Sequence, residues 1–510
     1  MFSSFLPFFH DSSPIVSTRT TRMVCSVTSL RLLAVLALAQ LVTGFLVGHS
    51  PDRTFPKPGR GDEGLYHFAA VASNADPCAE IGTELMAKKR GSAVDAAIAS
   101  MLCVGVTRFQ SSGLGGGHFS TIYDRASRKV HSIIARTMAP SAANSTMFIN
   151  DTVGVTQGGR SIAVPGEILG FWEAHKLQGR LPWRDLFQPA IKLATEGFPV
   201  EPSTAAAIQS KIPSGIFDTF PTLKAIVTNP ITGTWYKEGE MIRRPKLART
   251  LQRIADGGAA EFYNGSLADD IVKEIQGAGG IITKQDLADF YADVTSPLSL
   301  ALNGGLTIYS PPLPSSGVIA QNILNILSGY NMTSAGLSTN EKTVLTYHRF
   351  IEAFKHAYAA RSKLGSPYGE TKSFGDEMNK LIANLTSPDQ GESIRSQIWD
   401  NQTFPWSSYG AEYYSQDDHG TSQLCVLAPN GDAVSMTSTI NLFFGSKIVG
   451  ETTGITYNDD MDDFSTPGIV NAFGVAPSSF NFIKPGKRPM SSMSPSIILD
   501  DQGSVRLVIG

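Results

Sequence analysis

The sequence predicts an α+β fold in which helices cover the outer faces of a β-sandwich. Apolar residues recur at helical spacing through much of 166–360. Short strand-like runs around turn residues occur before this region, at 119–135, and again after residue 420. Because strands alternate with long helical regions, and each element must bury an apolar face, the helices are expected to pack outside paired sheets.

Composition excludes several classes of protein. The 510 residues include 42 Lys and Arg against 45 Asp and Glu, a net charge of −3. This balance lacks the basic footprint of a nucleic-acid-binding protein, so we expect no nucleic-acid partner. Charged residues make up 17% and hydrophobic residues 42% of the chain, which is typical of a compact enzyme and not of a disordered protein.

The four cysteines, Cys25, Cys78, Cys103 and Cys425, contain no Cys-x-x-Cys pair. This spacing disfavours a zinc cluster or a disulfide-dense fold, and we expect neither a metal nor a cofactor. Cys78 and Cys103 are candidates for a single bridge in an oxidising compartment. Cys103 also lies on a predicted apolar helix, so its alternative role as a small buried hydrophobic residue stays open.

The first fifty residues have the character of a membrane-targeting segment. Arginines precede an apolar run at 32–48, whose length is close to the lower limit of about 17 residues for a spanning helix. Because positive charge keeps its own side in the cytoplasm, the sequence predicts a cytoplasmic tail at 1–31, a signal anchor at 32–48 and a stalk at 49–64. A cleaved signal peptide, which would give a secreted protein, and a buried globular helix are the alternatives.

Beyond this run the chain carries Asn-x-Ser/Thr sequons without proline in the middle position. These candidate glycosylation sites are Asn144, Asn150, Asn264, Asn331, Asn384 and Asn401. All would lie on the side of the membrane where glycosylation occurs, in agreement with the topology inferred from the arginines. The two observations together predict a single-pass type II protein of the cell membrane with an extracellular ectodomain.

The elements of the folded part follow in order from local signals. Ser92 and Asp95 stand in the spacing of a capping box, and apolar residues follow at helical spacing. Runs at 119–123 and 130–135 then predict a hairpin. Further helices are predicted at 189–196, with Pro189 in the first turn, and at 246–255, 267–278 and 341–360.

After residue 420 the periodicity changes to that of strands. Runs at 424–428 and 433–437 flank a turn in which Asn430-Gly431 supplies the positive φ angles of a type I′ hairpin. A second hairpin is predicted from runs at 496–499 and 504–509. Together with the earlier hairpin, they supply the strands of the expected sandwich.

The pair Gly420-Thr421 precedes the first of these strands and allows a particular way to activate a threonine. A Thr hydroxyl is a weak nucleophile unless a base stands beside it, and a Thr at the start of a chain carries its own base in the α-amine. The pKa of that amine, about 7.7–8.0, is close to working pH. A cut between Gly420 and Thr421 would expose the amine, although such a pair in isolation is most often an ordinary loop entering a strand.

In its motifs and their order, the chain resembles the γ-glutamyltranspeptidases from about Ala69 to its last residue. The matching segments are GSAVDAAIASMLCVGV, SSGLGGGHFSTIYD, IIARTMAP, SIAVPGE, GRLPWRDLFQPAI, GTSQLCVLAPNGDAVSMTSTINLFFGSKI, NDDMDDFSTPG and PGKRPMSSMSPSI. The resemblance implies an αββα sandwich of the N-terminal-nucleophile hydrolase type that cleaves itself at Gly420–Thr421. The large subunit would span 65–420 and the small subunit 421–510.

The resemblance also implies a pocket for the α-carboxylate of a γ-glutamyl donor. Arg136, in IIARTMAP, matches the arginine that binds this group, and its planar guanidinium can hold two oxygens at once. Ser491 and Ser492, in the MSSMSP segment, match serines that would donate hydrogen bonds to the same carboxylate. The three side chains would fix one end of the donor.

A second set of matches concerns the donor's α-ammonium and the nucleophile. Asn441 and Asp463 match the ligands of the ammonium, which would be one amide oxygen and one carboxylate, and Asp460 stands at the position of a further ammonium contact. Thr439, two residues before Asn441, matches a threonine whose hydroxyl bonds the oxygen of Thr421. Thr421 and Thr439 are therefore the expected catalytic residues.

Some positions depart from the family pattern. Asp460 stands where the family usually has Glu or Gln, Gln423 where many members have His, and Thr137 where Glu is common. The sequence also ends at Gly510, before a Gly-Gly pair whose backbone N–H groups form the oxyanion hole of the family. The small subunit is therefore expected to be incomplete at its C-terminus.

The resemblance implies that Thr421 takes the γ-glutamyl group from glutathione or its conjugates as an ester. It would then pass the group to water or to the amine of an amino-acid or dipeptide acceptor. Two alternatives stay open. One is a catalytically silent, truncated ectodomain, which the missing Gly-Gly pair favours; the other is a related acylase of the same fold, which ligands for both α-charges disfavour.

Overall fold

The computed structural model of the chain describes residues 66–330, 332–410, 420–469 and 477–510. The predicted tail, anchor and stalk lie outside these ranges, as does the sequon at Asn331. Within the described ranges, no helix is both long and apolar enough to cross a bilayer. The other five sequon asparagines are exposed at the surface.

The described part of the chain contains fifteen α-helices and twelve strands. The helices are α1 (Asp76–Lys89), α2 (Ala93–Thr107), α3 (Glu167–Gln178), α4 (Trp183–Glu196), α5 (Pro202–Lys211), α6 (Ile216–Thr219), α7 (Pro221–Val227), α8 (Pro245–Gly257), α9 (Ala259–Tyr263), α10 (Ser266–Gly277), α11 (Lys284–Ala288), α12 (Gly317–Ser328), α13 (Asn340–Arg361), α14 (Lys372–Leu385) and α15 (Pro388–Arg395). The strands are β1 (Ala70–Ser73), β2 (Gly117–Asp124), β3 (Lys129–Ala135), β4 (Phe198–Pro199), β5 (Met241–Ile242), β6 (Asp293–Thr295), β7 (Leu298–Leu302), β8 (Leu306–Ser310), β9 (Thr421–Leu427), β10 (Ala433–Thr439), β11 (Ser496–Asp500) and β12 (Val505–Ile509).

Most of the strands form two antiparallel sheets. The larger sheet has the order β1-β9-β10-β2-β3-β6, and the smaller has the order β12-β11-β8-β7. The predicted hairpins β2-β3, β9-β10 and β11-β12 are all present as neighbouring strands. β9 and β10 occupy the middle of the larger sheet, between strands from the first part of the chain.

The two sheets face each other across an apolar layer. Tyr123 of β2 and Ala433 of β10 meet Ile497 of β11 in this layer. Because successive strand residues point to opposite faces, their neighbours Ile122 and Val434 enter the larger core on the other side of the sheet. The central strands are therefore covered on both faces, as a sandwich requires.

Helices cover both outer faces of this sandwich. Leu102 of α2 belongs to the same buried core as Met436 of β10. On the opposite side, Leu324 of α12 packs against Ile308 of β8 and Ile498 of β11. The layers follow the order helix, sheet, sheet, helix, so the predicted α+β class with helices outside a sandwich is confirmed.

The capping box predicted at the start of α2 is also confirmed. Ser92 Oγ accepts the N–H of Asp95 at 3.0 Å, and the Asp95 carboxylate accepts the N–H of Ser92 at 2.9 Å. A disulfide joins Cys78 of α1 to Cys103 of α2, which decides between the two roles left open for Cys103. Cys425 on β9 keeps a free thiol, whose pKa burial raises to about 11.

Two predictions for the middle of the chain were wrong. The helix expected at 189–196 begins at Trp183, so Pro189 lies in its interior and not in its first turn. Leu186 and Ala190 of this helix are fully buried, and their packing outweighs the hydrogen bond that the proline cannot donate. The helices expected at 246–255, 267–278 and 341–360 are present as α8, α10 and α13, within two residues at each end.

The region 166–360 is also less helical than predicted, because β6, β7 and β8 interrupt it. β7 and β8 form a hairpin around Asn303-Gly304-Gly305, in which both glycines have positive φ angles. The Asn303-Gly304 pair in this turn is a sequence signal for a hairpin. The flanking strands are only five residues long, too short for alternation to compete with the helical periodicity around them.

Candidate active site

The hairpin of β9 and β10 brings the predicted nucleophile beside Thr439. Thr421 lies directly opposite Thr439 in the register of the two strands. The Thr421 hydroxyl donates a hydrogen bond to Oγ1 of Thr439 at 3.3 Å. Thr421 begins its strand and is exposed, whereas Thr439 is buried. The nucleophile can thus be reached from outside, while its hydrogen-bond partner is held in the core.

Oγ1 of Thr439 is the centre of a network around the Gly420–Thr421 peptide bond. Besides the bond from Thr421, it accepts the backbone N–H of Asn441 at 2.9 Å. It donates its own hydrogen to the carbonyl oxygen of Gly420 at 2.8 Å. The two lone pairs and the single proton of the hydroxyl are therefore all used. Negative charge would develop on that carbonyl oxygen if the peptide bond were attacked, and the donor is already in place.

Gly420 is required by both its conformation and its surroundings. Its φ angle is +116°, in a region that residues with a side chain rarely adopt. A Cβ atom at this position would come within 2.3 Å of the carbonyl oxygen of Asn441. Only glycine allows the chain to pass this close to the turn after β10 and enter β9.

Arg136 follows β3 and is fully buried. Its guanidinium forms ion pairs with Asp460, at 2.7 Å, and with Asp463. Nε also donates to the carbonyl of Pro489 at 3.4 Å. The family resemblance predicts that Arg136 binds the carboxylate of a ligand and that the two aspartates bind its ammonium. The structure brings all three into direct contact.

The two carboxylates lie on a single 3₁₀ turn, Asp460–Asp463, and share one guanidinium. Burial raises the pKa of Asp463 to about 6, against the opposing effect of Arg136, and raises the pKa of Asp460 in the same way. The side chain of Asp460 is fully buried, whereas that of Asp463 is 15% exposed. When both carboxylates are ionised, the turn holds more negative charge than the one guanidinium neutralises, and an added cation would relieve it.

Asn441 follows β10 with a φ angle of +73°. Asn tolerates this left-handed conformation better than most residues do. Its Nδ2 donates to the carbonyl of Asp459 at 3.2 Å, so that Oδ1 points away from this carbonyl. The amide oxygen that the sequence proposed as an ammonium ligand therefore has a fixed orientation.

The loop that carries the two predicted serines lies against Arg136. Its Pro489 accepts the bond from Arg136 described above. Ser491 is buried, and its Oγ accepts the N–H of Met493 at 3.3 Å, whereas Ser492 is exposed. The structure thus brings the loop to the arginine, but the described hydrogen bond of Ser491 Oγ lies within the loop itself.

Sequence analysis missed a second buried arginine in this region. Arg488 donates to the carbonyl of Arg136 at 2.5 Å. Its guanidinium lies between the rings of Phe290, Tyr291 and Tyr368, 4.8–5.0 Å from their centroids, in positions that favour cation–π attraction. The available signal was its place in the same PGKRPMSSMSPSI segment as the two serines.

Two residues that depart from the family pattern have local partners. The Thr137 hydroxyl donates to Oδ2 of Asp460 at 2.5 Å, beside Arg136. Gln423 forms hydrogen bonds with Ser435 at 2.9 Å and Thr437 at 2.5 Å on the neighbouring strand. Thr137 therefore belongs to the charged cluster, whereas Gln423 joins β9 to β10.

A two-sheet sandwich between helical layers, with a glycine and an exposed threonine at the start of a central strand, defines a fold of the N-terminal-nucleophile hydrolase class. The family model described as Gamma-glutamyltranspeptidase matches residues 78–510. The chain therefore belongs to the γ-glutamyltranspeptidase family.

Related sequences cover most of this chain. Scoloptoxin SSD14 of Scolopendra dehaani is 47% identical over 447 residues, which is 88% of this chain and 76% of that protein. Glutathione hydrolase 3 of Arabidopsis thaliana is 40% identical over 84% of this chain and 65% of its own length. Glutathione hydrolase 5 proenzyme of Rattus norvegicus is 36% identical over 87% of this chain and 75% of its own length.

Solved structures give the same assignment of fold. A cephalosporin acylase from Bacillus halodurans is similar with a TM-score of 0.69 and 26% identity, over 90% of this chain and 80% of that one. The γ-glutamyltranspeptidase of Helicobacter pylori is similar with a TM-score of 0.59 and 27% identity, over 66% of this chain and 94% of that one. Both support an enzyme of this type.

Proposed function

We propose that the protein is a γ-glutamyltransferase and glutathione hydrolase that is activated by a cut between Gly420 and Thr421. The observation that carries the proposal is the Thr439 hydroxyl, which bonds both the carbonyl of Gly420 and Oγ1 of Thr421. Relatives named glutathione hydrolase support the substrate class. The charged cluster around Arg136 supplies groups of both signs for an amino-acid head.

The cut would proceed through an ester. Oγ1 of Thr421 attacks the carbonyl carbon of Gly420, the C–N bond breaks, and the hydroxyl proton passes to the nitrogen. Water then hydrolyses the ester, which leaves a carboxylate on Gly420 and a free α-amine on Thr421. The hydrogen bond from Thr439 stabilises the oxygen that carries the charge of the tetrahedral intermediate.

Turnover would use the same oxygen with a new base. The freed amine of Thr421, with an ordinary pKa of about 7.7–8.0, takes the proton of Oγ1 as that oxygen attacks the γ-carbonyl of the donor. The donor's amide bond breaks, and its nitrogen leaves as a protonated amine. Water or an acceptor amine then attacks the γ-glutamyl ester and frees Thr421 for the next cycle.

The amino-acid head of the donor would bind by exchanging partners with the existing ion pairs. Its α-carboxylate faces Arg136 and the Ser491-Ser492 segment, and its α-ammonium faces Asp463, Asp460 and Asn441. Since the buried turn holds an excess of negative charge, adding an ammonium is favourable there. A ligand with only one of these charges would leave part of the cluster unpaired.

The cut would leave a large subunit that ends at Gly420, whose folded part begins near residue 65, and a small subunit that begins at Thr421. We further propose that the apolar run at 32–48 anchors the protein in the cell membrane with its body outside. The arginines before that run and the exposed positions of five sequon asparagines support this topology. Glycosidase treatment of protein made in animal cells should increase its gel mobility; an unchanged mobility would contradict the topology.

The decisive experiment uses the full chain and its Thr421→Ala variant. The wild type should split into two fragments, the smaller beginning at Thr421 by N-terminal sequencing, and should hydrolyse a γ-glutamyl anilide. The variant should stay intact and inactive. A small fragment that begins elsewhere, or a variant that still splits, would contradict the proposal.

A related acylase activity is the second candidate, favoured by the similarity to the cephalosporin acylase of Bacillus halodurans. A glutaryl anilide, which lacks the α-ammonium, separates the two activities. A γ-glutamyl enzyme should prefer the γ-glutamyl anilide, because the glutaryl group leaves the buried aspartates without a cation. A preference for the glutaryl substrate would favour the acylase.

A further inference from the structure

Asp459 is a buried carboxylate that the chemistry above does not use, and it holds the turn that follows β10. Its backbone N–H donates to the carbonyl of Ile440 at 3.2 Å. Its carbonyl accepts from Nδ2 of Asn441 at 3.2 Å. Its side-chain Oδ1 accepts the backbone N–H of Leu442 at 3.0 Å. One residue therefore contacts three consecutive residues, 440–442, which we call the 440–442 turn.

The 440–442 turn in turn touches the peptide bond to be cut. The N–H of Asn441 donates to Oγ1 of Thr439 at 2.9 Å, the same oxygen that donates to the Gly420 carbonyl. The carbonyl of Asn441 is the atom that a Cβ on Gly420 would meet at 2.3 Å. Because Asn441 has a left-handed backbone conformation, the turn needs outside contacts to keep its shape.

The side chain of Asp459 is a poor contributor to stability. It is fully buried, and Oδ2 has no hydrogen-bond partner among the described residues. The nearest cation, Nζ of Lys447, is 3.9 Å away. Burial raises the pKa of this carboxyl to about 7. A buried, incompletely satisfied carboxylate is costly, and what this carboxylate provides in the structure is its hydrogen bond to the 440–442 turn.

We propose that Asp459 is a positioning residue that acts through the 440–442 turn. It holds the Thr439 hydroxyl against the carbonyl of Gly420 and thereby sets the rate of self-cleavage. It also fixes the amide of Asn441. Both effects rest on the proposed function, the first on the cut before Thr421 and the second on the α-ammonium of the donor. Asp459 touches neither the nucleophile nor the donor.

The effect of Asp459 on self-cleavage is tested with Asp459→Ala and Asp459→Asn in the full chain. Chain splitting is followed on gels. Alanine removes the acceptor for Leu442, and a displacement of about 1 Å at a reacting group can cost about a hundredfold in rate. We expect splitting at least tenfold slower in Asp459→Ala. Asp459→Asn should stay within about threefold of wild type, since its amide oxygen can keep the bond to Leu442.

Asp95→Asn is the matched control, because Asp95 is equally buried and also accepts backbone N–H groups, those of Ser92, Arg180 and Leu181. It should split at the wild-type rate, whatever its effect on thermal stability. Should Asp459→Ala not fold, Asp459→Ser, whose hydroxyl is too short to reach Leu442, takes its place. Splitting at the wild-type rate without the acceptor, or equal impairment by asparagine and alanine, would overturn the proposal.

The effect of Asp459 on the amide of Asn441 is tested with the KM and kcat of the protein that has already split. Asp459→Ala should raise KM for the γ-glutamyl anilide several-fold more than KM for the glutaryl anilide, with kcat changed less. Equal changes in both KM values would overturn this part. If the wild type turned over neither anilide, the proposed function would fail, whereas the splitting experiment would still decide the role of Asp459.

Discussion

Thr439 uses one oxygen atom to contact the hydroxyl of Thr421, the carbonyl of Gly420 and the turn beyond its own strand. A β-branched side chain suits this position, because its χ1 angle is restricted and β10 favours such residues. The restricted χ1 angle limits the directions that the hydroxyl can take, and the N–H of Asn441 further fixes its oxygen. Thr439 is buried, and a hydrogen bond is electrostatically stronger in such surroundings than in water.

Thr439→Ala removes the hydrogen bond to the carbonyl oxygen of Gly420. Losing one donor of this kind typically costs about 10²–10³ in rate, so splitting of the precursor should slow by this factor. Time courses on denaturing gels measure the effect. Thr437→Ala is the control, because Thr437 lies two residues earlier on the same strand and bonds Gln423 instead. Equal rates in the two variants would contradict the role of Thr439.

Gly420→Ala should also block splitting, for a steric reason. The added Cβ meets the carbonyl of Asn441. The backbone also has a positive φ angle at this residue, and for a residue with a side chain this conformation alone costs about 1–2 kcal/mol. The matched control is Gly239→Ala, which has a φ angle of +80° and open space around it. Gly239→Ala should lower the melting temperature only. Normal splitting of Gly420→Ala would show that the close approach of the chains is unimportant.

Among the elements, the 3₁₀ turn Asp460–Asp463 decides the charge of the site. It places two carboxylates against one guanidinium in surroundings that exclude most water. Burial then favours the neutral form of each carboxyl, whereas Arg136 favours the ionised form. The balance leaves Asp463 with a pKa of about 6, close enough to working pH for ligand binding to depend on it.

Binding of the γ-glutamyl donor should weaken as the pH falls through about 6, the pKa of Asp463. Only the ionised carboxylate attracts the ammonium, so KM should rise up to about tenfold per pH unit below this value. KM for a glutaryl anilide should not follow, which provides the control. Asp463→Asn should raise KM at pH 8 and remove this dependence; a dependence that survives in the variant would exclude Asp463 as its source.

The raised pKa of Asp463 affects stability in the direction opposite to its effect on donor binding. The ordinary pKa of the carboxyl is 3.8, so between about pH 4 and 6 the folded protein binds more protons at Asp463 than the unfolded chain does. The contribution of Asp463 to the free energy of unfolding therefore falls as the pH rises through this window. The cause is burial of the carboxyl, which the ion pair with Arg136 offsets only in part.

On the scale of the whole molecule, the strands of the two proposed subunits are interleaved. β9 and β10 belong to the small subunit but lie between β1 and β2 of the large subunit. β11 likewise pairs with β8. A cut at Gly420 removes one covalent bond and none of these ladders, so the fragments should remain associated.

We expect the split protein to elute as a single species in size-exclusion chromatography and to give two bands on a denaturing gel. Separation should require denaturant, because both faces of the central strands are buried. The unsplit Thr421→Ala variant is the control and should elute at the same volume. Fragments that separate in native buffer would contradict the interleaved arrangement.

Local patterns in the sequence determined the hairpins, the capped helix α2 and the α+β class. Hairpin turns and capping boxes are formed by residues close in the chain, so their signals survive without tertiary contacts. The motifs determined the family and supplied the candidate site residues. β7 and β8 were missed because each strand is only five residues long, too short for its alternation to compete with the helical periodicity around it.

Only the tertiary structure decided how the site residues contact one another. Arg136 and Asp463 are 327 positions apart, and their ion pair depends on packing between β3 and a distant turn. The same holds for Gly420 against the turn after β10, and for the three bonds through which Asp459 holds that turn. Residues far apart in the chain meet because burial of apolar surface assembles the sandwich, and no local pattern records where such burial places a side chain.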